Sequence, residues 1–423
     1  MRLRKTRVSA YGIWRTAYGN NSMPLKILIV SERFYPEEFI INDLASQWAE
    51  RGFEVDVLTQ IPSYPFGKVF QGYSNRLFSE ECWKKIRILR FFTVTGYRES
   101  LFFKLLNYLS FAITGSLAAL WIGRKYDRIF VYNTGPLTAA LPAVFLHKFY
   151  KKHVTIWTQD IWPDMVYAYG FRKTKTLSFF LDRLVAFIYR NCDTIFISCA
   201  GFRKSIEPYA PGRTMHHFPN WPTVAPSAGA AGGALKLPDG FNFTFAGNIG
   251  KFQNLDNIIR GFALAGASGS GLRLNIVGDG SELERLKELV EAEHIGGVVF
   301  WGRKSQSEMP AFFNASDVMI VSLKDAPVFE LTVPAKFQAY LAFSKPIFCV
   351  MNGEVRRIVE EYKTGLCAAP GDLNGIRDGF LKFHGLRDGG LKSFAENSKI
   401  LLETVYDRDK ITAAMTDLVV AGK

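Results

Sequence analysis

The sequence predicts an α/β protein made of two doubly wound, Rossmann-like domains. A length of 423 residues is enough for two full cores. Short apolar runs alternate with helical patterns along both halves of the chain. The clearest change of composition comprises residues 217–222 and the small-residue run 225–234, where we expect a linker. The predicted parts are a basic, mobile extension over 1–22, an N-terminal domain over 23–222, a C-terminal domain over 223–405, and a helical segment over 406–423 that returns to the first domain.

Composition and charge narrow the class of protein. Hydrophobic residues make up 48% and charged residues 22%, which is typical of a globular protein. The five cysteines form no Cys-x-x-Cys pair, so neither a disulfide framework nor a zinc site is expected. Residues 1–222 carry 30 Lys and Arg against 16 Asp and Glu, whereas residues 223–423 carry 22 against 23. A basic half predicts an anionic partner: a nucleic acid, a phospholipid surface or a phosphorylated substrate. Solvated surface is the alternative interpretation.

The first domain opens with a strand, a helix and a second strand. The apolar run 25–30 is the first strand, the helix covers 42–51, and the second strand covers 54–59. No Gly-x-Gly-x-x-Gly occurs in the first turn, which argues against a dinucleotide there. The following loop, 61–73, is rich in Pro, Gly and aromatic residues, Tyr64 among them. It is suited to stack on a sugar or a lipid, or it is a loop packed by its own side chains.

Residues 105–123 form a stretch of 19 residues without charge. Its length permits a transmembrane helix. Polar and small residues dilute it, namely Asn107, Ser110, Thr114, Gly115 and Ser116. We therefore predict a buried or interface helix, with a helix lying on a bilayer surface as the alternative.

The run 158–164, Thr-Gln-Asp-Ile-Trp-Pro-Asp, follows a predicted strand at 154–157. The carboxyl ends of parallel strands line the ligand crevice of an open α/β sheet. Asp160 and Asp164 are suited to bind sugar hydroxyls there, and the Trp162 indole is suited to pack on a sugar ring. Alternatively, one of the aspartates caps the helix that follows.

The second half contains a glycine turn between a strand at 243–246 and a helix at 254–265. In the run 244–251, Thr-Phe-Ala-Gly-Asn-Ile-Gly-Lys, two glycines let backbone N–H groups approach a ligand, and Lys251 adds positive charge. Such a turn is suited to hold a diphosphate, although similar turns also occur for structural reasons alone. A second turn, Gly278-Asp279-Gly280, follows the next strand; Asp279 either contacts ligand or caps a helix. Further on, a loop with one carboxylate leads into a helix whose first turn carries Lys336.

With these motifs in their order, residues 23–423 resemble the family-4 type of retaining glycosyltransferases, which have the GT-B fold of two Rossmann-like domains facing a cleft. The likeness is closest to bacterial enzymes of surface-polysaccharide assembly, including fucosamine transferases. The matching stretches are F-Y-P-E-E-F-I-I-N-D-L-A at 34–45, L-T-Q-I-P-S-Y-P-F-G-K at 58–68, Q-D-I-W-P-D at 159–164, F-P-N-W at 218–221, F-A-G-N-I-G-K-F-Q-N-L-D at 245–256, V-G-D-G at 277–280 and L-T-V-P-A-K-F-Q-A-Y-L-A-F-S-K-P-I at 331–347.

The resemblance implies that the second domain binds a nucleotide-sugar and that the first binds the acceptor. It places Gly247, Asn248, Gly250 and Lys251 at the donor diphosphate and Glu330 near the donor sugar and ribose. The backbone amides of Thr332 and Val333 correspond to phosphate contacts, and Asn42 and Asp160 correspond to cleft residues of the first domain. The remaining donor candidates are Gln253, Gly278, Asp279, Gly280, Lys336 and Gln338, and the remaining acceptor candidates are Tyr64, Trp162 and Asp164.

Three departures from the family pattern matter. The second acid of the spaced Glu…Glu element is replaced by Gln338, which we expect to hydrogen-bond the ribose instead. The second basic residue of the phosphate clamp is replaced by Gln253, so Lys251 is expected to act without a basic partner. The His-Asp pair of the acceptor side is Gln159-Asp160 here.

These observations predict a metal-independent, retaining glycosyltransferase that uses Lys251, Glu330 and Asp160. Asp407-Arg408-Asp409 is the only Asp-x-Asp in the chain and is expected to be a solvated helix face. We expect no cofactor and favour a UDP-sugar as donor. The expected acceptor is a polyprenyl-diphosphate-linked glycan at the inner face of the cytoplasmic membrane, where anionic lipid attracts the basic half.

Two other functions would use parts of the same sequence. A GT-B-fold sugar-nucleotide epimerase needs carboxylates and histidines around the sugar, and His216 and His217 lie in the predicted linker. A basic, non-enzymatic nucleic-acid binder would explain the charge but leaves the donor motifs without a purpose.

Overall fold

The computed structural model describes residues 24–168, 171–224, 226, 235–266 and 271–422. The predicted extension 1–22 therefore lies outside the described residues, and so does all of the small-residue run 225–234 except residue 226. The chain divides into two compact units. The first contains the residues up to Ser198, Phe202–Phe218 and the chain from Asp409 onward, and the second contains Cys199–Gly201 and Pro219–Arg408.

The strands form two sheets, one in each unit. The strands of the first unit are β1 (Lys26–Ser31), β2 (Glu54–Gln60), β3 (Phe78–Trp83), β4 (Ile86–Phe91), β5 (Arg128–Asn133), β6 (His153–Thr158), β7 (Thr194–Ile197) and β8 (Met215–His217). The strands of the second unit are β9 (Phe241–Ala246), β10 (Leu272–Val277), β11 (Val298–Gly302), β12 (Val318–Ser322), β13 (Ile347–Val350) and β14 (Gly365–Ala368).

Helices connect most of these strands. They are α1 (Ile40–Glu50), α2 (Leu101–Ile122), α3 (Leu141–Tyr150), α4 (Asp164–Ala168), α5 (Lys175–Arg190), α6 (Phe202–Ile206), α7 (Leu255–Leu264), α8 (Leu283–Ala292), α9 (Met309–Ala315), α10 (Pro327–Glu330), α11 (Ala335–Ala342), α12 (Glu354–Tyr362), α13 (Leu373–Gly385), α14 (Lys392–Val405) and α15 (Arg408–Ala421). Short 3₁₀ turns, Gly123–Lys125 and Leu137–Ala140, extend α2 and precede α3.

Both sheets have the strand order of doubly wound folds, which confirms the predicted α/β class. The first sheet has the order β3-β4-β2-β1-β5-β6-β7-β8, and the second has the order β11-β10-β9-β12-β13-β14. Neighbouring strands are parallel except for β3 and β4. In each sheet the direction of winding reverses at the first strand of its unit, between β1 and β5 and between β9 and β12. Such a reversal opens a crevice at the carboxyl ends of the two strands.

The β3–β4 hairpin was not predicted from the sequence. Its two turn residues, Lys84 and Lys85, both have positive φ angles, 47° and 66°, and Trp83 pairs directly with Ile86. Two-residue hairpin turns need positive φ and usually contain Gly or Asn. A Lys-Lys pair therefore carries no turn signal that sequence inspection can detect.

The linker was predicted to start at residue 217, but a strand of the first sheet still includes that residue. Met215–His217 is β8, the edge strand beside β7, so His216 and His217 belong to the first sheet. The next residue, Phe218, also contacts the first sheet, because its carbonyl accepts a hydrogen bond from Trp157 Nε1 at 3.2 Å. The Pro residues that follow gave the composition change, whereas the short strand before them has no distinctive pattern.

The last helix, α15, packs on α1 within the first unit. Thr416 Oγ1 accepts hydrogen bonds from Trp48 Nε1 at 2.9 Å and from Arg51 Nη1 at 3.1 Å. Thr412 donates to Gln47 Oε1 at 2.8 Å. Trp48 is fully buried at this contact, so α15 completes the core on that face of the sheet.

Thr416→Val is expected to lower the free energy of unfolding by about 1–3 kcal/mol, because it leaves the buried Trp48 N–H without an acceptor. Thermal unfolding followed by circular dichroism measures the change. Thr404→Val is the matched control, since that hydroxyl lies exposed on α14 and bonds only to its own helix. Equal melting temperatures for the two variants would contradict the structural role of Thr416.

Candidate active site

The crevice of the second sheet contains two interlocked glycine turns. The N–H of Gly247 donates to Val277 O at 2.9 Å, and the N–H of Ile249 donates to Asp279 O at 2.8 Å. A Cβ on Gly278 would lie 1.9 Å from Gly247 O, and its φ is +140°. The close contact between the two turns therefore excludes a side chain at position 278.

Lys336 lies beneath the first glycine turn. Its ammonium donates to Gln253 Oε1 at 2.7 Å and lies 3.6 Å from the centroid of the Phe245 ring. A Cβ placed on Gly247 would lie 3.3 Å from Lys336 Nζ. Burial lowers the pKa of Lys336 well below its usual value. Within the described residues no carboxylate lies within ion-pair distance of this ammonium.

Lys251 and Asn248 are exposed on the same turn. Lys251 has no carboxylate at ion-pair distance in the part of the chain that the structure describes. The turn is therefore associated with two lysines, one exposed and one in its floor, that both lack an acidic partner. Sequence inspection identified Lys336 as a candidate but did not place it at Gln253.

A tyrosine on α11 fixes the end of β9. Tyr340 Oη accepts a hydrogen bond from Ala246 N at 3.0 Å and lies 3.2 Å from Ala246 O, to which it donates. Tyr340 is fully buried, so its position holds the residue that precedes Gly247. Its only signal in the sequence was its place on the inner face of a helix.

The backbone amides proposed for phosphate contacts already have partners. The N–H of Thr332 donates to Phe329 O at 3.2 Å, and the N–H of Val333 donates to Cys199 Sγ at 3.3 Å. Glu330 ends α10 with its side chain exposed. Of this segment, the Glu330 carboxylate is accessible, whereas both amides are used within the protein.

Gln338 was predicted to hydrogen-bond the ribose, but its side chain does not face the crevice. Its side chain is buried, and its amide nitrogen donates to Pro334 O at 2.9 Å and to Ala335 O at 3.2 Å. These bonds turn the amide toward the start of its own helix. At the second glycine turn, the Asp279 carboxylate accepts from Gly280 N at 2.7 Å and is exposed. A Cβ on Gly280 would lie 2.3 Å from Ile249 O, which explains the second glycine of that turn.

The crevice of the first sheet contains a buried charged cluster that the sequence analysis did not identify. Glu32, directly after β1, is fully buried, and burial raises the pKa of its carboxyl. Arg33 Nη2 lies 4.0 Å from Glu32, and Arg33 Nη1 lies 3.6 Å from Glu37. A Cβ on Gly135, just after β5, would lie 2.8 Å from Glu32 Oε2. Charged residues at the end of the first strand were the available signal.

Two predicted acceptor residues meet at this cluster. Asn42 Nδ2 donates to Glu37 O at 2.7 Å, and the backbone N–H of Tyr64 donates to Glu37 Oε1 at 2.6 Å. The Arg33 guanidinium lies 5.0 Å from the centroid of the Tyr64 ring. Tyr64 keeps 46% of its surface exposed, so one side of its ring is available to a ligand.

Asp160 follows β6 at the same edge of the first sheet. Burial raises the pKa of its carboxyl to about 7. The described residues offer it no hydrogen-bond or ion-pair partner. Trp162 is half-buried. Asp164 is exposed at the start of α4, and partial desolvation of its carboxyl raises its pKa. Among the described residues, neither aspartate caps that helix by accepting a hydrogen bond from its backbone N–H groups.

No cluster of three or more His, Cys, Asp or Glu side chains suited to a metal ion occurs within the described ranges. Asp407 and Asp409 of the Asp-x-Asp sequence lie at the start of α15, beyond the strands that form the crevices.

Part of the chain matches a known protein family, and solved structures share its fold. Residues 235–398, within the second unit, match the family model described as Glycosyl transferases group 1. The fold is GT-B, as predicted. HepE of Anabaena, solved in complex with UDP-glucose, superimposes with a TM-score of 0.64 at 14% sequence identity, over 94% of this chain and 100% of HepE.

Two curated relatives are similar in sequence. WbjE of Pseudomonas aeruginosa, named as a glycosyltransferase, is 26% identical over 50% of this chain, and the match spans about half (55%) of WbjE. WcaI of Escherichia coli K12, named as a glycosyl transferase of colanic acid biosynthesis, is 25% identical over 75% of this chain and 81% of WcaI. The family match and these relatives support a glycosyltransferase related to proteins of bacterial polysaccharide biosynthesis.

Proposed function

We propose that the protein is a retaining, metal-independent glycosyltransferase that transfers a sugar from a UDP-sugar to a lipid-linked glycan in the synthesis of a bacterial surface polysaccharide. The observation that carries the proposal is the glycine turn after β9 with its two lysines. A glycine turn beside two cations without acidic partners among the described residues is suited to a diphosphate. The UDP complexes of HepE support this nucleotide, and the name of WcaI supports the biosynthetic role.

In the proposed reaction the bond between the sugar's anomeric carbon and the UDP oxygen breaks as the acceptor oxygen bonds to the same carbon on the same face. The acceptor's proton passes to the departing β-phosphate, and UDP leaves. Lys251 and Lys336 stabilise the negative charge that develops on the diphosphate. Lys336 thereby supplies the cation that Gln253 lacks, because Gln253 Oε1 holds its ammonium at 2.7 Å.

The first unit would bind the acceptor. Asp160 orients the acceptor hydroxyl or stabilises positive charge on the sugar ring, and the exposed face of Tyr64 packs on an acceptor sugar. Glu330, accessible at the end of α10, would bind donor hydroxyls.

Thermal shift with UDP-, GDP- and dTDP-sugars tests the donor assignment. A ligand at a hundred times its Kd adds about 2.7 kcal/mol to the free energy of unfolding. We expect UDP and a UDP-sugar to raise the melting temperature and the GDP and dTDP compounds to do so less. If none of the three classes shifts it, the donor site is wrong; if the sugar nucleotide is epimerised without acceptor, the transferase assignment is wrong.

Lys251→Ala is expected to lower kcat by about tenfold, since an exposed cation acts through solvent and loses roughly 1.4 kcal/mol of leaving-group stabilisation. Steady-state release of UDP measures it. Lys324→Ala is the control, because Lys324 is also exposed near the turn, where its backbone N–H donates to Phe252 O. Full turnover in Lys251→Ala would remove this lysine from the mechanism.

A further inference from the structure

The long helix α2 presents a row of apolar side chains to solvent. Its outward stripe at every fourth position consists only of apolar residues, which are Leu105, Leu109, Ile113, Leu117 and Trp121. The exposed fraction rises to 66% at Leu117 and 76% at Trp121. A surface helix of a water-soluble protein normally presents its polar side to solvent. We call these five residues the apolar stripe.

Polar residues of α2 face inward, and three of them hydrogen-bond to residues 92–94. Asn107 is fully buried and donates to Val94 O at 2.7 Å. Ser110 Oγ accepts from Val94 N at 2.9 Å, and Thr114 Oγ1 donates to Phe92 O at 2.9 Å. A Cβ on Gly115 would lie 3.1 Å from Pro142, so the small residue permits close packing against the start of α3.

The inward position of the polar residues in 105–123 changes their interpretation. In the sequence they interrupt an apolar helix and so argue against contact with lipid. The structure assigns all of them to the protein side, which leaves the outward side undiluted. Leu101–Lys125 is also the one segment of the described chain with the length and hydropathy of a membrane span. One side of this helix packs against β2, β4 and α3, and the apolar stripe lies on the other side.

Basic residues outnumber acidic ones beside the apolar stripe. Residues 100–126 contain Lys104, Arg124 and Lys125, and Glu99 and Asp127 flank them. Arg124 is exposed, whereas Lys104 is partly buried near Glu32 and Lys125 lies 3.3 Å from Asp56. The neighbouring α3 is joined to α2 by a hydrogen bond from Tyr150 Oη to Leu120 O at 2.7 Å. Residues 137–154, around α3, contain three lysines and no acidic residue, and Lys148 lies 5.2 Å from the Phe187 ring on α5.

We propose that the apolar stripe is the surface by which this protein docks on an anionic phospholipid bilayer, with α2 lying flat in the headgroup region. Apolar side chains enter the acyl boundary, and the lysines and arginines around them meet lipid phosphates. The inference deepens the proposed function, on which it rests for the lipid-linked acceptor. A second copy of the chain fits this face less well, because it would bring the same positive charges together.

Co-sedimentation with vesicles tests the docking surface. One vesicle population is phosphatidylcholine, and the other contains about one third phosphatidylglycerol, which adds negative surface charge. We expect the wild type to bind the anionic vesicles, less strongly as salt rises. A Leu109→Glu, Leu117→Glu double variant is expected to bind at least about tenfold more weakly, because two apolar contacts are lost and two like charges face the lipid.

The matched control is a Leu264→Glu, Leu381→Glu double variant, since these leucines are 53% and 43% exposed in the second unit. It should bind vesicles like the wild type, and both double variants should keep the wild-type melting temperature and the shift induced by UDP. A wild type that ignores anionic vesicles, or a stripe variant that binds them normally, overturns the proposal. A wild-type dimer that the stripe substitutions dissociate, seen by light scattering, also overturns it in favour of a second copy. If UDP changes the melting temperature of neither the wild type nor any variant, that result counts against the proposed function alone.

Discussion

Lys336→Met should lower kcat/KM for the sugar nucleotide by about 10²–10³-fold, the loss expected when one preorganised group that stabilises developing charge is removed. Methionine keeps the length of the side chain and its packing against Phe245 while removing the ammonium. The effect should exceed that of Lys251→Ala, because Lys336 lies in the floor of the turn, where solvent screens its charge less. Initial rates over a range of donor concentration, together with UDP affinity by calorimetry, measure it.

The stability of the same variant separates a functional lysine from a structural one. Burial lowers the pKa of Lys336, so the native state binds the proton less readily than the unfolded chain does. Below the ordinary lysine pKa this difference destabilises the native state, and it disappears as pH rises above that value. Lys336→Met is therefore expected to melt at a higher temperature than the wild type at pH 7, with a smaller gain near pH 10.

Lys345→Met is the contrasting control. Lys345 precedes β13 and lies at the end of that strand opposite the crevice. Its Nζ donates to Asn314 O at 2.9 Å and to Ser316 O at 2.7 Å. Its replacement should lower the melting temperature and leave the UDP affinity unchanged. A Lys336→Met enzyme with wild-type kinetics would refute the role of this cation and leave Lys251 to stabilise the leaving group.

Asp160→Asn is expected to reduce kcat by about 10²–10³-fold at pH 8, the loss typical of removing one preorganised group that stabilises developing charge. Asparagine preserves shape and removes the charge. Because burial raises the pKa of Asp160 to about 7, the wild-type rate should rise with pH up to that value and then level off if the carboxylate is the active form. The rise near pH 7 should be absent from the variant.

Stability supplies an independent check on Asp160. The native carboxyl holds its proton to about pH 7, whereas the unfolded one releases it near pH 4, so stability falls as pH rises between these two values. Asp160→Asn removes that loss, and its melting temperature should exceed that of the wild type more at pH 8 than at pH 4. Asp164→Asn, at the exposed start of α4, serves as the control for a carboxylate of the same segment. An unchanged pH–rate profile in Asp160→Asn would exclude the assigned role.

The periodicity of the sequence was sufficient to predict the two domains and the strands next to each crevice. Buried parallel strands such as β9 and β12 appear as continuous apolar runs, and glycine turns follow them. The edge elements were missed because their signals are weak: β3 alternates exposed residues, and its turn is Lys-Lys. These strands form by pairing with their neighbours, β3 with β4 and β4 with β2.

Proximity inside the sites was harder to predict. The distance of 2.7 Å between Lys336 and Gln253 joins residues 83 positions apart, and no local pattern reports it. Gln338 illustrates the opposite error, because helical position alone does not tell whether an amide faces a ligand or its own helix. Glu32 was overlooked because a charged residue after a strand usually belongs to a solvated loop.

The return of α15 to Trp48 has a consequence for synthesis of the chain. Translation produces the first unit from its beginning to Phe218, but the partner of Trp48 leaves the ribosome only after the entire second unit has been made. The second unit can close its own core in the meantime, because all six strands of its sheet are contiguous in the chain. The nascent first unit therefore keeps an apolar helix face uncovered until the second unit has been made. Early termination anywhere before residue 408 leaves that face open to chaperones and proteases.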